Sequence, residues 1–474
     1  MLSKFIIAAI VYLAILIFIA RKTRIKEKTT SNYILAGGNI GFVIGLFTTA
    51  ATLFSAFTVI GMPDFFRTHG IGAWIFLAVS DAMMVYVLIR VGEMVRKKAR
   101  KTDFKGMSGL MASSYNTKLA GIVVFVGAVI FLIPYISVQI SGISIFLNAA
   151  FPDAIPVWLW SIIIVSIMII YSEIGGLRAI MYNDTMQGVL LFVMIWVIAW
   201  NCIDEFGSIS SMFAKVESVK KELLSVPGPK GLFTTQFLII SAIAIISLPF
   251  TQPQISTRVI IMKSSSALRK MAVGLGVVAI LVILPTVFMG MYGAILYPDA
   301  STQEFIGHVL LYDQTSGIAA LALLGLIAAA ISTSDSQIFA LGGELRSLLT
   351  ISDKKAIFIT RIFIVFLGLL ALIFSIISSD HLVLLARTSF AGTAMMGPMI
   401  LVGILSSRKL SMLMPISTII ALLTYILSRI GLFSTENWIL EIELILFLGL
   451  ALSSFVEVVI MSRLNGIGLK TDQK

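Results

Sequence analysis

The sequence predicts an all-α integral membrane protein with about 13 transmembrane helices. Of its 474 residues, 58% are hydrophobic and only 12% are charged, and the mean hydropathy is +1.02, far above that of an average soluble protein. Apolar runs of roughly the length that crosses a bilayer recur along the chain. The thirteen runs lie at 5–20, 42–62, 71–95, 119–149, 157–172, 185–203, 235–250, 271–296, 317–340, 356–377, 382–405, 411–431 and 438–461.

The loops between these runs alternate in charge. Loops 21–28 and 96–105 are rich in lysine and arginine, and Arg258 is counted with the basic loop that follows the seventh run. Loops 150–156 and 297–316 contain neither residue. By the positive-inside rule, the N-terminus lies outside and the C-terminus in the cytoplasm of a multi-pass cell-membrane protein. The formal net charge of +11 therefore reflects orientation rather than nucleic-acid binding.

The first run, 5–20, has the length of a signal peptide, but its basic cluster follows the apolar residues and no A-x-A-like site ends it. We interpret it as a retained helix. The only sizeable segment outside the runs, 204–234, combines an amphipathic stretch with a VPGPKG turn and predicts a short external helix. The composition excludes an internal disulfide and a histidine metal cluster, since it offers only Cys202, His69, His308 and His381.

Two spans contain residues that interrupt a helix. In Gly45–Pro63, small and hydroxyl residues occupy the middle of the span, which is typical either of a helix that unwinds partway or of close helix packing. Pro249 and Pro253 interrupt the hydrogen-bond ladder of the seventh run. The two spans hold corresponding places in two five-helix halves, 42–203 and 235–405, a pattern that predicts an inverted-repeat transporter.

A polar segment interrupts the run 317–340. Ser332, Asp335 and Ser336 fall on one helix face at i, i+3 and i+4, with Thr333 about 100° away. Polar side chains at that depth must face protein, water or an ion. The segment therefore predicts a short column of hard oxygen ligands for a small cation.

Several segments resemble those of a known family. LAGGNIG at Leu35–Gly41 and FSAFTVIGMP at Phe54–Pro63 resemble its first core helix, and YSEIGGLRAIMYNDTMQG at Tyr171–Gly188 resembles its most specific signature, a glycine-pair loop followed by Asp and Gln. FTQPQISTRVIIMKS at Phe250–Ser264, AAAISTSDSQ from Ala328 and SFAGTAMMGPMIL at Ser389–Leu401 resemble its sixth, eighth and tenth core helices. The chain is identified by this resemblance as a member of the sodium:solute symporter family, which includes proline, pantothenate and sugar symporters.

The resemblance implies a five-plus-five inverted-repeat core of the leucine-transporter type, working by alternating access. Residues 1–40 would form an extra N-terminal helix and a basic cytoplasmic loop, 41–405 the ten-helix transport core, and 406–474 two extra C-terminal helices and a short tail. The coupling ion would be Na+, and the partners a small-molecule solute and the lipid bilayer. The chain would be a monomer or a loose oligomer, with no nucleic-acid partner and no catalytic residues.

By the same resemblance, the main sodium site lies between the first and eighth core helices. The matching ligands are the backbone carbonyls of Ala51 and Phe54 and the hydroxyls of Ser332 and Thr333. Oxygen ligands suit a hard cation. The alternative for the two hydroxyls is a hydrogen bond to the carbonyl one turn earlier in their own helix.

A second set of residues, Asp184, Asp335 and Ser336, matches positions that build a second sodium site in some family members. Either the two carboxylates hold a second cation, or one of them is protonated and relays protons. The alternative for Asp184 is capping of the N-terminus of its helix.

The solute is expected beside the sodium ion, near the bilayer midplane. Arg387, in the tenth core helix, is interpreted either as a clamp for a substrate carboxylate or as a side chain that reaches the interface. Proline transporters of the family carry an aspartate where this chain has Leu53. The residues expected around the solute are Thr52, Leu53, Ser55, Tyr135, Gln139, Phe250, Gln252 and Gln254.

The predicted function is sodium-coupled secondary symport of a small organic solute of the amino-acid, carboxylate, vitamin or sugar class. The alternatives are a proton-coupled symporter of the same fold and a transporter-like sensor or receptor. An integral membrane enzyme would need a nucleophile or a metal cluster facing one leaflet, and the sequence indicates neither, so no enzymatic activity is expected.

Overall fold

The structure, a computed structural model, is all-helical. Among the residues it describes, β structure is limited to one isolated bridge between Ile40 and Met262. His381 and most of the basic loop 21–28 lie outside those residues. The described residues are 2–23, 29–102, 104–152, 154–377, 382–406, 410–433 and 438–468.

The helices follow one another with short connections. The first eight are α1 (Leu2–Thr23), α2 (Thr30–Leu35), α3 (Phe42–Leu53), α4 (Met62–His69), α5 (Ser80–Lys101), α6 (Met107–Ser114), α7 (Lys118–Ala150) and α8 (Val157–Asp204). The others are α9 (Ile209–Lys220), α10 (Thr235–Thr251), α11 (Pro253–Ile261), α12 (Ser265–Leu296), α13 (Thr302–Gly307), α14 (Ser316–Leu348), α15 (Asp353–Ile377), α16 (Leu382–Ala394), α17 (Gly397–Leu405), α18 (Leu413–Arg429) and α19 (Ile442–Gly468).

The predicted membrane class and inverted-repeat fold are confirmed. Within the described ranges, nine helices are long and apolar enough to cross a membrane, or up to eleven if each bent pair is one span. Two shorter apolar helices, at 157–170 and in α18, accompany them. Every predicted apolar run therefore overlaps a helix, while the count of thirteen crossings stays a prediction.

Both predicted interruptions are present. α3 ends at Leu53, Phe54 is extended (φ −92°, ψ 118°), and the helix beyond it is bent by 58°. α10 and α11 meet at Gln252, which is also extended (φ −104°, ψ 119°), with a bend of 52°. Pro253 starts α11, where a missing N–H costs nothing. Unwinding, rather than close packing alone, is thus the correct reading of Gly45–Pro63.

The predicted glycine-pair loop is a tight kink that joins two helical parts of α8. Only Gly176 leaves the helical region (φ 64°, ψ −165°), a left-handed conformation that favours glycine. A Cβ at this position would also lie 3.0 Å from the ring of Tyr33. Asp184 lies two turns beyond this kink, inside the helix, so the capping alternative for Asp184 is wrong.

The polarity of the bundle is inverted relative to that of a soluble protein. Ile362, Phe366 and Ile373 on α15 are more than half exposed and share a face, whereas Gln139 and Asn183 have no exposed surface. An apolar exterior around a polar interior is what a hydrocarbon environment requires, because only the interior can satisfy polar groups.

The helix predicted within 204–234 is confirmed as α9. It is amphipathic, with Met212 and Val216 buried. The segment after it reaches the end of the first broken helix, where the Ile71 N–H donates to the Leu223 carbonyl at 2.8 Å. This segment therefore fixes the position of the C-terminal end of α4.

The Asp313 carboxylate, next to α14, contacts several hydrogen-bond donors. The hydroxyls of Tyr292 and Tyr297 both donate to its Oδ2 at 2.8 Å, and the His308 Nδ1 lies 3.1 Å from its Oδ1. Burial alone would raise the pKa of Asp313, but these hydrogen bonds outweigh it and hold the pKa below its ordinary value of 3.8.

We therefore expect Asp313→Asn to remove a pH-dependent part of the stability. A carboxylate whose pKa is lowered by folding stabilises the protein fully above its ordinary pKa and loses that contribution as the pH falls through the folded value. The melting temperatures of wild type and Asp313→Asn, measured in detergent from pH 7 to pH 3, should differ at neutral pH and converge below about pH 3.8. A constant difference across this range would contradict the assignment.

Candidate functional site

The first helix break meets α14 at a cluster of oxygen atoms. The Ser332 hydroxyl donates to the Ala51 carbonyl at 2.8 Å, and the Thr333 hydroxyl donates to the same carbonyl at 3.2 Å. Ala51 is 2% exposed and the two hydroxyl residues have no exposed surface. The structure thus brings together three of the four predicted sodium ligands, and Phe54 lies directly at the break.

The local sequence explains this convergence. A helix end leaves carbonyl groups without intrahelical partners, and the end of α3 at Leu53 does so in the middle of the bundle. Ser332 also contacts the Ala329 carbonyl at 3.0 Å, within its own helix. Because both hydroxyls reach across to α3, bonding within their own helix does not account for them.

One turn beyond Ser332 on α14, Ser336 contacts a buried ion pair between Arg258 of α11 and Asp184 of α8. Arg258 Nη2 is 2.9 Å from Asp184 Oδ2, and the two side chains are 1% and 0% exposed. Thr48 donates to the same carboxylate oxygen at 2.5 Å, and Arg258 Nη2 also donates to Ser336 Oγ at 2.6 Å. Asp184 and Ser336 therefore face a guanidinium group.

Arg258 was not identified from the sequence as a site residue. The sequence places Arg258 in a basic loop, and that prediction is wrong, because α11 continues through Ile261 and carries Arg258 into the bundle interior. The sequence does carry one indication of its burial: Arg258 follows Pro253 by only five residues and is therefore close to the predicted helix break.

Asp335, next to Ser336 on α14, is not hydrogen-bonded to this ion pair. Its side chain is 2% exposed, and neither carboxylate oxygen has a hydrogen-bond partner among the described residues. The two predicted carboxylates are therefore both buried, but they differ in electrostatic state. The charge of Asp184 is balanced by Arg258, and that of Asp335 is not.

The predicted solute residues of the first and third core helices contact one another. Tyr135 Oη lies 3.2 Å from Ser55 Oγ, and Gln139 Oε1 accepts the Ala56 N–H at 3.0 Å. The Tyr135 ring packs edge-on against Phe390, with 4.9 Å between centroids. Gln139 thus satisfies a backbone group that the break exposes, and Tyr135 joins α7 to α16.

At the second break, two amide groups retain unused hydrogen-bonding atoms. Gln254 Nε2 donates to Gln252 Oε1 at 2.6 Å, while Gln252 Nε2 and Gln254 Oε1 have no partner within the described part of the chain. Phe250 is buried beside them. Of the other predicted contacts, the Thr52 hydroxyl donates to the Thr48 carbonyl at 2.8 Å, and Leu53 is half-buried.

Arg387 lies at the junction with the last two helices. Its guanidinium pairs with Glu441 at 3.0 Å and Glu443 at 3.4 Å, and it stacks over the Phe237 ring at 4.7 Å. The carboxylates that Arg387 contacts therefore belong to the chain itself.

Known proteins resemble this chain over much of its length. The model of the sodium:solute symporter family matches residues 33–310, more than half of the chain. The uncharacterized symporter YodF of Bacillus subtilis is 25% identical over 420 residues, which cover 85% of this chain and 83% of the relative. The sodium/pantothenate symporter of Escherichia coli is also 25% identical, over 58% of each chain.

A solved structure shares the fold over almost the whole length. It is a substrate-bound, outward-open Na+-coupled sialic acid symporter, for which a novel Na+ site is described. The TM-score is 0.79 at 16% sequence identity, and the match covers 96% of this chain and 97% of the other. This likeness establishes the arrangement of helices.

Proposed function

Because the chain belongs to the sodium:solute symporter family, we propose that it imports a small organic solute together with sodium ions that move down their gradient. The observation that carries this proposal is the convergence of the Ala51 carbonyl with the Ser332 and Thr333 hydroxyls at a helix break. We further propose that it is a cell-membrane protein with its N-terminus outside.

The oxygen cluster fits a sodium ion. Carbonyl and hydroxyl oxygens are hard, neutral ligands, and a helix break inside the bundle is where transporters coordinate coupling ions. When the ion binds, the two hydroxyl groups would rotate their hydrogens away from the Ala51 carbonyl and offer lone pairs instead. The Phe54 carbonyl would complete the site from the same break.

The solute is proposed to lie between the two breaks. Gln252 and Gln254 supply one unused amide N–H group and one unused amide oxygen, a pair that suits a polar solute with both a donor and an acceptor. Tyr135 and Phe250 supply aromatic surface beside them. Both amides are neutral, and they do not by themselves favour one solute class.

We expect Gln252→Leu and Gln254→Leu each to raise the KM for the solute about tenfold or more, because a polar group of the solute would lose its buried partner. Uptake into proteoliposomes at saturating sodium measures this. Gln236→Leu is the matched control, since Gln236 bonds Ile439 and Glu441 away from the breaks. An unchanged KM in both site variants would place the solute elsewhere.

Alternating access requires contacts that open in turn at the two ends of the broken helices. At one end, Arg67 donates to the Tyr297 carbonyl at 2.7 Å and is held by Asp64 at 2.6 Å. At the other, the Ile40 N–H donates to the Ile261 carbonyl at 3.1 Å, and Arg96 caps α11 through the Met262 carbonyl at 2.5 Å. We propose that the first set of contacts closes the outer side of the transporter, that the second set closes the inner side, and that the two sets break in turn during the transport cycle.

A proton-coupled symporter is the second candidate, and Asp335 is the observation that favours it. A buried carboxyl group without a partner is stable either protonated or beside a cation. We propose that Asp335 lies beside a cation, and the uptake experiment that follows discriminates between sodium coupling and proton coupling.

The test is uptake by purified protein in liposomes of labelled amino acids, carboxylates, sugars and vitamins, with and without an inward sodium gradient. Accumulation of one solute only with sodium supports the proposal and identifies the solute. Equal accumulation under a proton gradient without sodium would favour the second candidate. Binding of a solute without any transport would favour a sensor.

A further inference from the structure

A cavity of about 770 Å³ opens at one end of the bundle. It lies between the end of α5, the turn that joins α6 to α7, and the end of α17. Its volume is in the range of small-molecule sites, about 300–1,000 Å³. The positive-inside rule places this end, which carries the basic loop 96–105, on the cytoplasmic side of the membrane.

Three lysines make the cavity basic. Lys97 and Lys101 lie one turn apart on one face of α5, and Lys98 lies beside them. No carboxylate is among the described residues that line the cavity. Glu93, one turn before Lys97, is held by Arg269 at 2.7 Å. The cavity therefore has an excess of positive charge and suits an anion.

Two further hydrogen-bond donors remain available in the cavity. Lys98 Nζ donates to the carbonyls of Gly403 and Ser406, the second at 2.9 Å, and its ammonium group has a third N–H. The Ser114 hydroxyl is buried without a hydrogen-bond partner in the part of the chain that the structure describes. Charged and hydroxyl donors around one space match a group with several acceptor oxygens, such as a phosphate.

The position of the cavity indicates where that phosphate comes from. Lys97 and Lys101 occupy the end of a helix that is long and apolar enough to cross the membrane, which places them at the level of the lipid headgroups. Two apolar side chains also line the cavity, Met94 at 39% exposure and Leu405 at 61%. Apolar surface beside a basic cavity suits an acyl chain, which a free phosphate ion does not have.

We infer that this cavity binds the phosphate group of an anionic phospholipid from the cytoplasmic leaflet. Lys97, Lys101 and Ser114 would hold the phosphate, and an acyl chain would lie against Met94 and Leu405. Basic pockets between membrane helices on the cytoplasmic side are suited to such headgroups. The bound lipid would bridge α5 and α17, and its binding is independent of the proposed sodium coupling.

Crosslinking of a photoactivatable phosphatidylglycerol to the purified full chain, in a zwitterionic detergent, tests this without knowledge of the solute. Mass spectrometry of the crosslinked peptides should place the lipid at the ends of α5 and α17. Phosphatidylcholine, which has no net charge, should compete poorly for this labelling. Labelling only at other places in the chain would contradict the inference.

The double variant Lys97→Gln, Lys101→Gln should need about thirtyfold more lipid for half-maximal labelling of these peptides. Each lysine near an anionic lipid contributes about fivefold in affinity. Lys354→Gln, Lys355→Gln is the matched control, because it removes the same charge from two exposed lysines at the start of α15. The control should label like wild type, and an equal loss in both variants would show that net charge alone attracts the lipid.

Ser114→Ala is a second variant that keeps the charge of the cavity and therefore separates the hydrogen bond from the charge. We expect it to weaken labelling about tenfold, because a buried donor to a charged group is lost. Two results would overturn the inference. One is labelling that neither Ser114→Ala nor the lysine double variant changes. The other is competition by inorganic phosphate as strong as that by unlabelled phosphatidylglycerol, which would assign the cavity to a soluble anion.

Discussion

Replacing Arg258 by methionine should lower the free energy of unfolding by about 3–5 kcal/mol, because the change leaves Asp184 as a buried, unpaired charge. The ion pair is at most 1% exposed, and the same guanidinium holds Thr48 and Ser336. Thermal denaturation in detergent, followed by fluorescence or by monodispersity, measures the loss.

The double variant Arg258→Met, Asp184→Asn should recover most of that loss, since it removes both charges together. Arg269→Met is the matched control. Arg269 pairs with Glu93 at 2.7 Å but is 61% exposed, so its loss should destabilise the protein far less than the loss of Arg258. Equal destabilisation by Arg258→Met and Arg269→Met would show that the buried pair is not formed.

The double replacement Ser332→Ala, Thr333→Ala should raise the sodium concentration for half-maximal uptake tenfold or more. Each replacement removes one ligand of the ion and weakens the binding free energy of sodium by about 1 kcal/mol. We expect the affinity for sodium to fall and the KM for the solute to stay the same, because both hydroxyls contact Ala51 at the first break and not the amides at the second. Uptake of the identified solute at graded sodium concentrations measures it.

Ser334→Ala is the control for this effect. Ser334 is equally buried and belongs to the same polar run, but it points about 160° away from Ser332, and its hydroxyl has no hydrogen-bond partner among the described residues. Its replacement should leave the sodium curve unchanged. A similar shift in both variants would mean that α14 packing, and not ion binding, is being measured.

Much of the fold could be predicted from the sequence, because membrane helices are specified by local composition. The thirteen apolar runs all overlap helices, and Pro249, Pro253 and the small residues of Gly45–Pro63 mark both breaks. The proposed sodium ligands Ser332 and Thr333 are recognisable in the sequence because five polar residues in a row stand out in an apolar helix.

The features that the sequence did not predict depend on contacts between distant segments of the chain. Arg258 has the composition of a loop residue, and only the packing of α11 against Thr48 and Asp184 shows that it is buried. The hydrogen bond between Tyr12 and Gln187 is equally hidden, since an aromatic residue in an apolar helix gives no sign of its partner in the sequence. The sharp kink at Gly176 shows only in the backbone dihedral angles.

The most direct test of the central claim is the influx of 22Na+ into proteoliposomes when only a gradient of the identified solute is imposed. Coupled symport through the Ala51, Ser332 and Thr333 site predicts that solute influx carries 22Na+ with it, and that the double alanine variant loses this flux at low sodium. Solute influx without 22Na+ in the wild type would contradict sodium coupling.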